Sequence, residues 1–170
     1  AATLDEALAA GNAVVLKPSE FTSATSVMLA RICSACGLPP GALNVVTGTG
    51  AEVGAWTVQH PRTSLIAFTG SANVGRQIAR EAASQFKPTI LELGGKSPNI
   101  VFPDADLDKA AAQAASICVG VGQQCAALSR LLVHESVEEA LVARVQALME
   151  RKLPGPALGP LTTAGQFDKV

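Results

Sequence analysis

Cys125 ends a small glycine-bearing loop, Gly122-Gln123-Gln124-Cys125, that separates a helical pattern from the apolar run Ser129–His134. A thiol in such a loop is open to water and substrate, and cysteine is intrinsically nucleophilic even when little of it is ionised. It could attack an electrophilic carbon, although a single loop cysteine is as readily inert. Glu92 stands between leucines in Leu91-Glu92-Leu93-Gly94-Gly95-Lys96. A carboxylate withdrawn from water takes up a proton more readily, the property a general base needs. The plain alternative is a strand glutamate that faces solvent or pairs with Lys96.

Other residues suit phosphates and sugars. Lys17-Pro18-Ser19-Glu20 places a cation and a carboxylate three residues apart at a strand end, where they could hold the hydroxyls of a nucleotide ribose. Thr69-Gly70-Ser71 precedes a helix whose free N–H groups and dipole suit a phosphate. Gly48-x-Gly50-x-x-x-Gly54 resembles a dinucleotide glycine fingerprint with its last interval one residue too long, and turns need glycine as well. Cys33 and Cys36 form one C-x-x-C. No second pair completes four metal ligands, and His60 and His134 are remote, so the two cysteines read as helix neighbours. With Cys118 they do not form a disulfide framework, and a reducing compartment is expected.

The elements that must position these residues follow from apolar periodicity. Helical patterns run over Leu4–Ala9, Thr22–Cys36, Asn73–Ser84, Asp106–Cys118 and, strongly amphipathic, Val137–Arg151, with a short helix after Ala51. Strand patterns occupy Asn12–Lys17, Leu43–Thr47, Ser64–Phe68, Thr89–Leu93, Asn99–Phe102 and Ser129–Val133. Gly11 and Gly37 stop two of the helices, and Pro39-Pro40 forbids continuation of the second. Strands alternating with helices predict an α/β fold with a parallel sheet covered by helices on both faces. A domain boundary is expected near Gly94-Gly95. Ligands of such sheets bind at the carboxyl ends of strands, where the residues above lie.

Composition removes several function classes. The 170 residues are 48% hydrophobic and 16% charged, with net charge −1. That excludes a disordered chain and argues against a nucleic-acid binder, which would carry a basic stripe. The longest uncharged stretches are broken by prolines, glycines and glutamines, so no membrane span is expected, and no signal peptide is visible.

Taken together, the ordered motifs resemble the aldehyde dehydrogenase superfamily. They are Lys17-Pro18-Ser19-Glu20, Phe68-Thr69-Gly70-Ser71 with Val74-Gly75, Leu91–Phe102, and Gly122-Gln123-x-Cys125; LAAGNAVVLKPSE and GLPPGALNVVTG add family-like stretches. The resemblance implies an enzyme that oxidises a small-molecule aldehyde to a carboxylic acid with hydride transfer to NAD(P). Cys125 matches the nucleophile, which forms a thiohemiacetal and then a thioester. Its backbone N–H matches one oxyanion donor. Glu92 matches the base that activates hydrolytic water. Lys17, Ser19 and Glu20 match the adenosine-ribose region. Gly70, Ser71 and Gly75 match the pyrophosphate region and the Leu93 backbone the nicotinamide amide, while Gly50, Gly54, Thr69 and Gly94 are further expected cofactor-binding residues. Glu20 would repel a 2′-phosphate, so NAD is expected over NADP.

The resemblance further implies a partial NAD(P)-binding domain over 1–94 and a partial catalytic domain over 95–170. A cytoplasmic location and a homo-oligomer of the full-length enzyme are expected, without metal, nucleic acid or membrane. The family's Asn oxyanion donor and its later Glu-x-Phe motif are absent, so the chain is expected to be the central piece of a longer enzyme. The competing reading is a catalytically inactive remnant that binds nucleotide or a partner chain.

Overall fold

A computed structural model of the chain describes residues 3–150 and 160–169. Two compact units result, Ala1–Glu92 and Leu93–Val170.

The first unit opens with α1 (Leu4–Ala9), which Gly11 ends at φ +79°. Strand β1 (Val14–Leu16) stops at the buried Pro18, which has no N–H to continue a ladder. α2 (Ser23–Ala35) leads from there to β2 (Leu43–Val45), which pairs parallel to β1 with Val15 opposite Asn44. The end of α2 is set by Gly37 at φ +91°: its N–H donates to the Ser34 carbonyl, and the Leu38 N–H donates to that of Cys33. This double closure satisfies carbonyls that a helix end leaves free. A wide turn over Gly50–Gly54 enters α3 (Ala55–Gln59). β3 (Ile66–Gly70), α4 (Ala72–Ser84) and β4 (Thr89–Leu93) complete the unit, β3 and β4 being hydrogen-bonded neighbours.

In the second unit β5 (Pro98–Val101) pairs parallel to β6 (Arg130–Val133), with Ile100 opposite Leu132. Between them run α5 (Leu107–Ala115) and a tighter helical segment, Ser116–Gly122. α6 (Glu138–Glu150) packs on α5. Ala111, Ala114 and Ala115 are buried, and alanines let the two helices approach closely. Leu141, fully buried, joins Val101 and Ala111 in the core, against Leu131, Val133, Val145 and Leu148. Burial of that one leucine contributes about 1.5–3 kcal/mol. A short α7 (Ala164–Phe167), not foreseen in the sequence, is capped by Thr163.

The α/β class is as expected, but three details differ. The described strands of the first unit form two two-stranded sheets instead of one, with a third pair in the second unit. Exposure also alternates along the strands, leaving Val15, Ile90, Ile100 and Leu132 at least 40% exposed, so only one face of each pair is well covered. Apolar residues on both faces mimic the pattern of a doubly covered strand. Finally, α6 is less amphipathic than predicted: Leu141, Val145 and Leu148 turn inward, while Val142 and Met149 stay exposed. Arg151, the expected end of that helix, lies outside the described residues.

Candidate active site

Beyond the end of β1 the Lys17 ammonium donates to the Gly48 carbonyl at 3.1 Å and lies 3.8 Å from a Glu20 carboxylate oxygen. Lys17 is largely covered, and its stem passes Gly54, where an added Cβ would stand 3.6 Å from Cδ. Ser19 and Glu20 are exposed, so a donor and an acceptor face solvent side by side. The glycine run is used unevenly. Gly48 sits at φ +148°, and a side chain there would collide with Val53. Gly50 has open space around it. The constrained glycine is therefore Gly48, whose need is set by a contact five residues on.

At the β3–α4 junction Ser71 caps the helix, its hydroxyl accepting from the Val74 N–H at 3.3 Å. No acidic residue occupies the first turn of α4, which leaves its positive end uncompensated. Thr69, Gly70 and Ser71 are all exposed there. Phe68 folds back over Gly70, where a Cβ would stand 2.5 Å from the ring. Gly75, by contrast, is buried one turn into α4, where its lack of a side chain serves packing. The turn at Gly50–Gly54 differs: Thr49 caps it and also donates to Glu52 at 3.0 Å, so a carboxylate already sits at that end.

Glu92 lies on the exposed face of β4. Of its two readings the solvent-facing one holds: Leu91 and Leu93 point to the opposite face, because side chains alternate along a strand. Leu93 is half-buried, and Gly94 is exposed with open space around it.

Cys125 is a free, exposed thiol. It occupies a turn closed by the Ala127 N–H donating to the Gln124 carbonyl at 3.3 Å. The Cys125 N–H meets no acceptor among the described residues. Before it, Gly120, Val121 and Gly122 all take left-handed conformations, at φ +64°, +57° and +71°. For a β-branched residue such as Val121 that geometry costs about 1–3 kcal/mol and persists only where the surroundings enforce it. A contact that the sequence did not disclose is made by Gln123 of this loop, whose partners Pro160 and Thr162 are remote in the chain.

Cys33 and Cys36 are free neighbours at the end of α2, and no cluster of three metal-binding side chains occurs among the described residues. Two surface depressions of about 430 and 420 Å³ surround Leu8, Leu38 and Pro39, and neither is lined by a candidate site residue. No helix among the described residues is long and apolar enough to cross a membrane.

A family model described as the aldehyde dehydrogenase family matches residues 1–170. The chain belongs to that family. It is 47% identical over 171 residues to the peroxisomal aminoaldehyde dehydrogenase 1 of Malus domestica, covering 96% of this chain and 34% of that protein. Among solved structures, the γ-glutamyl-γ-aminobutyraldehyde dehydrogenase of Burkholderia cenocepacia J2315 superposes with TM-score 0.90 at 43% identity, over 96% of this chain and 35% of the other. The betaine aldehyde dehydrogenase of Staphylococcus aureus, solved with NAD+, gives TM-score 0.86 at 34% identity over 99% of this chain and 35% of the other. The chain thus spans about a third of the length of the family members it matches.

Proposed function

We propose that the chain supplies the cofactor site and the nucleophile of an NAD-dependent aldehyde dehydrogenase that releases a carboxylic acid. Residues 1–94 carry the cofactor-binding part and 95–170 the nucleophile-bearing part. The observation that carries the reading is Cys125: a free, exposed thiol behind a strained turn, in a chain of this family.

The donor set fits a dinucleotide. Lys17 and Glu20 offer a donor and an acceptor to ribose hydroxyls, and the Ser71-capped end of α4 offers N–H groups and positive potential to a pyrophosphate. Open space at Gly50 keeps bulk away from the phosphates, Gly54, Thr69 and Gly70 complete that region, and the Leu93 carbonyl with Gly94 orients the nicotinamide amide. NAD, when bound, supplies the hydride acceptor that turns the Cys125 adduct into a thioester. The chain's residues do the rest. The Cys125 sulfur bonds to the aldehyde carbon, and its N–H donates to the oxygen as negative charge develops there. Glu92 takes a proton from water, which attacks the thioester and expels the thiolate as the acid forms. All four cysteines are free, which fits a reducing compartment such as the cytoplasm.

The test is appearance of reduced cofactor from NAD and a panel of aldehydes, aminoaldehydes and betaine aldehyde included, by the chain in the full-length context of its relatives. Activity that Cys125→Ser abolishes is expected. Turnover surviving that substitution overturns the assignment.

A further inference from the structure

We infer that Gln123 is a positioning residue, whose side-chain amide clamps the loop bearing Cys125 to the segment around Thr162. The inference rests on Cys125 being the nucleophile.

Every hydrogen-bonding position of the Gln123 amide is engaged. Oε1 accepts from the Thr162 N–H at 3.0 Å and from the Thr162 hydroxyl at 2.8 Å. Nε2 donates to the Gly120 carbonyl at 3.1 Å and to that of Pro160 at 3.5 Å. The orientation of the amide is dictated, since a backbone N–H can only donate and a carbonyl can only accept. The Gln123 backbone N–H also reaches the Gly120 carbonyl at 3.1 Å, so backbone and side chain close the same turn. That turn contains Val121, whose left-handed backbone needs enforcement.

The far end of the clamp leads into a short helix. Thr163, next to Thr162, caps α7 through the Gln166 N–H at 3.2 Å. Neighbouring Gln124 has no comparable set among the described residues: its amide lies near Gly120, 3.7 Å from where a Cβ would be. One side chain, two residues before the thiol, thus ties a strained turn to a segment 39 residues away. Since each bond is exposed and competes with water, it is the simultaneous engagement of all four that holds the loop.

The experiment measures iodoacetamide labelling of each cysteine by mass spectrometry in the 170-residue chain, with exposed Cys36 of the other unit as internal reference. In the unsubstituted chain Cys125 should react faster than Cys36. Gln123→Met should slow Cys125 about tenfold, the equivalent of one net hydrogen bond, and leave Cys36 unchanged. Gln123→Glu keeps both acceptor contacts with Thr162 but sets a carboxylate oxygen against the Gly120 and Pro160 carbonyls, so it should slow Cys125 as well. Thr162→Val, a milder change at the far end, should slow Cys125 in the same direction. Cys125 reacting no faster than Cys36 in the unsubstituted chain overturns the nucleophile reading and the positioning role with it. A fast Cys125 that neither Gln123→Met nor Thr162→Val slows, or that Gln123→Glu leaves at its full rate, overturns the clamp alone.

Discussion

The Lys17 ammonium donates to the carbonyl of Gly48 at 3.1 Å, tying the end of β1 to the turn that follows β2. A long, flexible cation is thereby held in one place before any ligand arrives, so less rotamer freedom remains to be lost on binding. The carbonyl it uses belongs to a residue that must be glycine.

Gly48→Ala should destabilise the chain by about 1–3 kcal/mol, because its left-handed backbone and the contact with Val53 both resist a side chain. Gly50→Ala, in open space at ordinary φ, should change stability by no more than about 0.5 kcal/mol. Urea denaturation reads both. If a phosphate approaches Gly50 closely, the same alanine weakens NAD binding in titration calorimetry. Unaltered affinity would remove Gly50 from the cofactor contacts.

Glu20→Gln should lower NAD affinity by about tenfold or more, the scale of a hydrogen bond to a charged group, and improve NADP affinity by removing repulsion of the 2′-phosphate. The ion pair with Lys17 contributes little, since Glu20 is 45% exposed and 3.8 Å away. Affinities for the two cofactors that fall together would assign Glu20 a structural role instead.

Phe86 offers a prediction about stability. It stands just past α4 at φ +54° and is 95% exposed. The Phe86 N–H donates to the Ala83 carbonyl and the Lys87 N–H to that of Ala82, the closure that Gly37 provides for α2. Phe86→Gly should therefore stabilise the chain by about 1 kcal/mol. A lowered urea midpoint would show that the exposed ring makes contacts worth more than the strain.

These cases mark what a sequence can disclose. The start of α4 at Ser71 and the stop of α2 at Gly37 were legible because the deciding contacts are local. The limits of β4, Thr89–Leu93, follow from apolar residues flanked by Pro88 and Gly94. Family membership was legible because four motifs recur in order. The exposure of Glu92 was legible as the plainer of its two readings, since a strand's apolar neighbours occupy its other face. The Gln123–Thr162 contact was hidden by distance along the chain, and nothing about Phe or Val announces a positive φ.

Asp106 gives a pH dependence. Its carboxylate caps α5, accepting from the Asp108 and Lys109 N–H groups at 3.1 Å, and meets the Lys109 ammonium at 3.1 Å. Hydrogen bonds from Lys109, backbone first and side chain next, hold its pKa below the ordinary 3.8. A depressed folded-state pKa means stabilisation that is complete well above 3.8 and is lost as pH falls through the folded value. Asp106→Asn keeps a capping side chain without the charge, so the stability gap between the two proteins should narrow on acidification below 3.8. A gap that stays constant or widens in acid would contradict the account. Urea midpoints measured across acidic pH decide it.

Glu92→Gln separates the two halves of the proposed reaction. The amide keeps the size of the side chain but cannot take a proton from water. Attack by Cys125 and hydride loss do not need that proton transfer, so a first burst of reduced cofactor should remain. Hydrolysis should slow by about 10²–10⁴-fold, the range a general base contributes. An acyl group should then accumulate on Cys125, visible as a mass increase on its peptide. The exposure of Glu92 sharpens the prediction, because water reaches the carboxylate directly. A loss of the burst itself would mean that Glu92 acts before hydride transfer, on the thiol or on the bound cofactor. Unchanged steady-state turnover would remove it from the chemistry altogether.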